Sequence, residues 1–319
     1  MRSASRSTSA WARLAGTTAV PHRETRGRSD PYQEITGRIT RALERGTVPW
    51  RTPWHARGHR NARSRRPYRG INTLVLQTAA LERGWSDPRW LTYRQAEACG
   101  GHVRRGEHGT RVVLWKWLEK PDPEDPEQMR RFPLIRLYSV FNVAQCEGLR
   151  LPRQAEERCF DPLERAEAVI AGYREGPTVH HDSESAYYVP ERDEVHIPER
   201  ARFTDAHGYY ATLFHELAHS TGHPKRLGRE GYRTAARFGS ERYSREELVA
   251  EFAAAFLGSE AGIDPSRVEQ SAAYIASWLR VLDDDRRLVV VAAAQGQRAS
   301  DHILGREPGQ PAETGGGAD

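Results

Sequence analysis

Apolar residues recur every three to four positions along much of this chain, and the interruptions between those stretches predict its elements. Asp30-Pro31 reads as a helix start. Tyr32, Ile35, Ile39 and Leu43 follow on helical spacing, and Gly46 ends the run. Residues 71–81 (INTLVLQTAAL) predict a buried helix. Trp90 to Thr92 predicts a short strand, and Thr92 caps a helix over 93–98 that Gly100-Gly101 breaks. Residues 104–109 read as a hairpin connection into a strand at 112–115. Residues 120–130 (KPDPEDPEQMR) read as a proline-rich loop, and 134–143 (LIRLYSVFNV) as a strand. A helix over 162–171 follows, then a hairpin whose arms are 186–189 and 194–197. Apolar helices are expected around 208–221, 244–257, 268–282 and 286–303. The pattern is α+β with two domains: an N-terminal α+β domain and a C-terminal, mostly helical domain with a small antiparallel sheet. The expected boundaries are a basic disordered tail at 1–28, a first domain at 29–150, a linker at 151–161, a second domain at 162–304 and a disordered tail at 305–319.

Charge divides the chain the same way. Residues 1–120 hold 24 Lys and Arg against 9 Asp and Glu, whereas the rest hold 24 against 34. The overall charge of +5 conceals a basic half joined to an acidic one, and only the first suits a polyanion. No apolar run approaches the ~20 residues of a membrane span. Three cysteines without C-x-x-C spacing suit a reducing cytoplasm, and no membrane partner is expected.

From Arg45 to Leu81 there is no acidic residue, but there are eight arginines, Arg45 included, with Trp50, Trp54, His55 and Tyr68 among them. Arginine reaches phosphates with two N–H groups, and exposed aromatic rings stack on unpaired bases. This pattern predicts contact with single-stranded nucleic acid through Arg51, Arg66, Arg69, Trp50, Trp54 and Tyr68.

The second half carries His215-Glu216-Leu217-Ala218-His219, an H-E-x-x-H sequence in an apolar run that closes at Gly222. Positions i and i+4 share a helix face, so both imidazoles can address one ion, one Zn2+, with Glu216 beside it as general base. The downstream helix brings Glu247 and Glu251, four apart on one face. Glu247 is the expected third ligand and Glu251 an acceptor for a ligand imidazole N–H. Glu246 and His223 are alternatives as ligand, and His223 is also a candidate outer partner. Two histidines and one glutamate form a gluzincin-like set, and Lys225 stands where a metzincin would need its third histidine. His180, His181 and His196 are expected on strands or surface rather than on the ion, and the loop 224–243 is expected to cover the site.

Several longer motifs appear in order: 48–54 (VPWRTPW), 66–72 (RPYRGIN), 87–96 (DPRWLTYRQA), 140–148 (VFNVAQCEG), then 215–223 and 246–251. In these the chain resembles the ArdC-type antirestriction proteins of mobile elements, over residues 30–304. The resemblance implies a single-stranded-DNA-binding domain, shared with plasmid primases, followed by a zincin-like metallopeptidase domain. It also implies a role in protecting incoming plasmid DNA from host restriction. Within its motifs Asn72, Trp90, Arg94 and Gln95 join the expected DNA contacts. A DNA-localised peptidase cleaving a protein partner is the alternative activity, and a non-catalytic adaptor for a restriction enzyme is another.

Overall fold

The structure, a computed structural model, describes residues 30–51, 58–121, 129–151, 162–229, 241–264, 272–285 and 287–306. The expected tail 1–28, Trp54 and nearly all of the linker 151–161 lie outside these residues. Helix α1 (Pro31–Glu44) buries Ile35, Ile39 and Leu43, the stripe its spacing predicts. A single 3-10 turn at Pro49–Arg51 carries Trp50 inward. Helix α2 (Ile71–Arg83) is buried along most of its length and ends at Gly84 in the left-handed conformation. Short strands β1 (Arg60–Asn61) and β2 (Arg89–Leu91) flank it in sequence. The two long strands β4 (Thr110–Pro121) and β5 (Met129–Asn142) complete a sheet of order β1-β2-β5-β4.

Helix α3 (Tyr93–Ala98) starts as expected at Thr92, whose hydroxyl accepts the Gln95 N–H while the Gln95 side chain accepts the Thr92 N–H. The expected hairpin around 104–109 does not form. β3 (His102–Val103) pairs instead with β6 (Cys146–Glu147), and β4 pairs with β5. Gly101 permits this: a Cβ there would lie 2.4 Å from the Glu147 carbonyl oxygen. β4 and β5 also run further than expected, in register from Thr110↔Val140 to Pro121↔Met129. Proline argues against a central strand, but a two-stranded ribbon leaves alternate N–H groups unpaired and accommodates it.

The second half begins with α4 (Pro162–Gly172). A three-stranded sheet follows, made of β7 (Thr178–His180), β8 (Tyr187–Val189) and β9 (Glu194–His196) in the order β7-β9-β8. The predicted β8–β9 hairpin is antiparallel, and β7 joins β9 in parallel. Helices α5 (Ala206–Ser220), α6 (Glu241–Ala261), α7 (Ala272–Asp284) and α8 (Leu288–Ile303) follow. None of the described helices is long and apolar enough to cross a membrane.

The two halves share one core. Ile35, Leu43, Trp50 and Leu74 from the first half pack in the same cluster as Leu248, Phe252, Trp278 and Val289 from the second. Trp50 is 0% exposed, its ring edge-on to Phe252 at 4.8 Å and to Trp278 at 5.3 Å. Burying one such side chain contributes roughly 1.5–3 kcal/mol. Polar contacts cross the same boundary: Arg69 pairs with Asp301, and the Gly70 N–H donates to Gln297 Oε1 at 2.9 Å. Gly70 has φ 55°, a left-handed backbone that suits glycine. Within the second half α8 presses on α6 at Gly296, where a Cβ would meet Phe252 Cβ at 2.8 Å. That close approach fixes α6, which carries the acidic residues of the site.

Candidate metal centre

Asp205 caps α5 by accepting the Gly208 N–H at 2.9 Å, so the helix starts at Ala206 and runs unbroken through H-E-x-x-H. Two arginines close its other end. Arg226 donates to the Ser220 carbonyl at 2.8 Å and Arg229 to the Ala218 carbonyl at 3.0 Å. Cations at a helix C-terminus meet its partial negative charge and its unpaired carbonyls. Arg226 is also clasped by both oxygens of Asp193 at 2.8 Å.

His215 and His219 then sit on one face of α5 with their Nε2 atoms 3.1 Å apart. Glu247 reaches across from α6, with one oxygen 3.4 Å from His215 Nε2 and the other 3.3 Å from His219 Nε2. Donors about 2.0–2.2 Å from a tetrahedral ion lie about 3.3–3.6 Å from one another. Each neighbouring pair of donors is thus near that spacing, with a different Glu247 oxygen closest to each histidine, and one donor atom from each of the three residues lies within 4.8 Å of the others, the one such group among the described residues.

Each imidazole is backed by an acid on α6, and each acid by an arginine. His219 Nδ1 lies 3.5 Å from Glu246, which Arg229 grips through both oxygens at 3.1 and 2.5 Å. His215 Nδ1 lies 3.6 Å from Glu251, which Arg51 grips with Nε at 2.8 Å and with a second guanidinium nitrogen. Four glutamates, 216, 246, 247 and 251, thus crowd two imidazoles, and two arginines offset only half of their charge. A divalent cation would offset the remainder, so the donor set and the charge balance both fit one. Burial opposes protonation of both rings, yet the carboxylates around them, Glu247 foremost, hold both imidazoles above their ordinary range. Burial raises Glu247 as well, but His219 and His215 outweigh it and hold this carboxyl far below its usual range.

Glu216 lies beside this group, and burial pushes its carboxyl up against the opposing pull of His215 and His219. The backbone of Tyr188 on edge strand β8 hydrogen-bonds to it. A cavity of about 230 Å³ opens here, lined by Glu216, His215 and Glu247, by Ala186 just ahead of β8, and by Trp50 and Arg51 from the first half. His223 does not join the site: its Nδ1 accepts the Lys225 N–H at 3.2 Å, because the chain turns away after Gly222. Glu246, weighed as a ligand from the sequence, occupies the outer position instead. His196 pairs with Asp182 at 2.7 Å and His181 with the Tyr209 hydroxyl at 2.8 Å, away from the three-donor group. Of the loop expected to cover the site, 230–240 lies outside the described residues.

Residues 29–141 match the family model described as the N-terminal domain of anti-restriction factor ArdC, and residues 164–295 match that of a zincin-like metallopeptidase. The crystal structure of the antirestriction ArdC protein from plasmid R388, in its metal-free form, is 40% identical with a TM-score of 0.71, covering 86% of this chain and 97% of that one. This chain belongs to the ArdC antirestriction family. The Mn(II)-bound form of the R388 protein matches with the same TM-score of 0.71 at 37% identity, over 90% of this chain and all of that one. Protein y4eC of Sinorhizobium fredii is 37% identical over 86% of this chain and 91% of its own length. The DNA primase TraC of Escherichia coli is also 37% identical over 88% of this chain, but the chain spans only 27% of that primase, and 20% of a second TraC.

Within the ArdC N-terminal region, most residues expected at DNA serve the fold. Trp50 is in the shared core. Trp90 is 0% exposed and donates its Nε1–H to His59, whose other nitrogen meets Gln77. Neither indole offers a face to a base. Asn72 clamps α2 to β4 through both the N–H and the carbonyl of Val113, each at 2.7 Å. Gln95 completes the cap of α3 and accepts from Asn61. Tyr68 packs against the core under α2. Arg51 and Arg69 are held by Glu251 and Asp301.

Arg66 and Arg94 remain at the surface. Arg66 belongs to an exposed turn with Arg63 and Arg65, folded around Asn61, whose Oδ1 accepts from the Arg63 and Ser64 N–H groups at 3.1 and 2.9 Å. The Asn61–Gln95 bond fastens this turn to the start of α3, where Arg94 and Tyr93 are exposed. Tyr93, which sequence reasoning passed over, is 52% exposed with its ring edge-on to Phe141.

Proposed function

We propose that this ArdC-family chain binds single-stranded DNA on the exposed surface formed by Arg63, Arg65, Arg66, Tyr93 and Arg94, and holds one Zn2+ between His215, His219 and Glu247, in the service of antirestriction. The observation that carries the DNA reading is the Asn61-anchored turn: three exposed arginines fixed next to an exposed aromatic ring. Arginines supply the phosphate contacts, and Tyr93 supplies a stacking face that the buried tryptophans do not. The test is fluorescence anisotropy of the full chain with matched single- and double-stranded oligonucleotides across a salt series. Binding should favour the single strand, with log affinity falling by about 0.7 per phosphate contacted for each decade of salt. Replacing Arg63, Arg65 and Arg66 by alanine should flatten that slope by about 2. An unchanged slope would reject this surface.

A second reading, a DNA-localised metallopeptidase, is favoured by Glu216. A bound divalent ion supplies a polarised water of lowered pKa. Glu216 faces the same cavity and is pushed up by burial, which suits it to take a proton at Oε and return it to a leaving amine. The Tyr188 backbone steadies its carboxylate, and β8 is an outer strand of its sheet among the described residues, a position where an extended chain can align beside the cavity. Glu216→Gln should keep the ion and lower turnover of a cleaved partner by about 10²–10⁴-fold. Turnover at the wild-type rate in that variant would exclude this role.

A further inference from the structure

We propose that Arg51, from the DNA-binding half, is a positioning residue of the metal centre: it locks Glu251 so that Glu251 fixes the ring of His215. The inference rests on the metal reading above and adds that the site is complete only when the N-terminal half is docked. His215 directs Nε2 at His219 and Glu247, which leaves Nδ1 facing Glu251 at 3.6 Å. Glu251 is 6% exposed, so its carboxylate needs a partner within the protein. Arg51 engages both of its oxygens, a planar two-point grip that sets the direction of the carboxylate and balances its charge. Outer partners of this kind orient a ligand imidazole and select its tautomer.

The same construction recurs at the other histidine, where Arg229 grips Glu246 and Glu246 faces His219 Nδ1. There the arginine comes from the loop directly after α5. Behind His215, the arginine stands 200 positions before the glutamate it grips. Arg51 is well placed for this because Trp50 is wedged between Phe252 and Trp278, and α6 carries both Phe252 and Glu251. Trp50 and Arg51 also form one wall of the cavity beside Glu216. The competing explanation is an ordinary ion pair that only glues the halves together, as Arg69–Asp301 does.

The test is Zn2+ affinity by chelator competition, together with the visible spectrum of the Co2+-loaded protein, on the full chain. Arg51→Ala and Glu251→Gln should each weaken Zn2+ by about 10–100-fold and alter the Co2+ bands. Arg51→Lys should restore part of the loss, and the double variant should bind no more weakly than Glu251→Gln alone, since both act through one ring. Arg69→Ala, which cuts the other cross-half pair, should leave the affinity unchanged. Wild-type affinity in Arg51→Ala, or an equal loss in Arg69→Ala, would overturn the proposal while leaving the metal site standing. If Arg51→Ala does not fold, Glu251→Gln decides: an unchanged Zn2+ affinity there overturns it too. Failure of the wild-type chain to take up Zn2+ or Co2+ would instead remove the metal reading itself, and this inference with it.

Discussion

A chain cut after residue 150 is expected not to fold on its own. Nine residues of the first half, Ile35, Ile39, Leu43, Val48, Trp50, Ile71, Leu74, Val75 and Val113, are buried in a core completed by α6, α7 and α8. Each owes roughly 1.5–3 kcal/mol to full burial. Exposing even half of that surface would remove about as much free energy as the 5–15 kcal/mol that typically separates folded from unfolded domains. The isolated fragment should show poor chemical-shift dispersion in NMR, bind hydrophobic dyes and aggregate. A monomeric fragment with a dispersed spectrum and a cooperative melt would show that the first half carries a sufficient core of its own. DNA binding should accordingly be measured on the full chain.

Glu247→Ala is expected to abolish metal binding and the stabilisation that comes with it. Glu247 touches both histidines, and removing it leaves two imidazoles on one side of the site. The loss should exceed the ~10–100-fold typical of an outer partner. Metal that binds only the folded chain stabilises it by about 2.7 kcal/mol when present at 100 times its dissociation constant. For a chain of this size that is a rise in melting temperature of roughly 4 °C. Differential scanning calorimetry of the wild type should show that rise with Zn2+ and its reversal with a chelator, and Glu247→Ala should show neither. A variant that still responds to Zn2+ would place the third ligand elsewhere, with Glu246 the next carboxylate to examine.

The contrast between the two halves shows what residue pattern can carry. Helical spacing and capping alone determined α1, α2, α3 and the run of α5 through H-E-x-x-H, because the hydrogen bonds that define a helix are local. The four-residue separations, His215 to His219 and Glu247 to Glu251, decided which side chains share a face before any packing was known. The nearest-neighbour hairpin of β8 and β9 was legible for the same reason.

What needed the tertiary structure was every pairing across a long loop. β3 pairs with β6 across more than 40 residues, and only the assembled sheet shows that β4 takes β5 rather than β3 as its partner. The acid-free arginine stretch reads as a polyanion surface because its nearest carboxylates in sequence are distant. In space Arg51 and Arg69 find theirs on α6 and α8, at Glu251 and Asp301. Tryptophans among arginines suggest stacking platforms, but burial alone separates a platform from a core residue, and Trp50 and Trp90 are fully buried. Sequence by itself determined a helix pair carrying two histidines and a glutamate with metal-ligand spacing, and a basic half. The shared core decided that the two are packed as one body from Pro31 onward, because apolar faces left open on α1, α2 and α6 are stable only against each other.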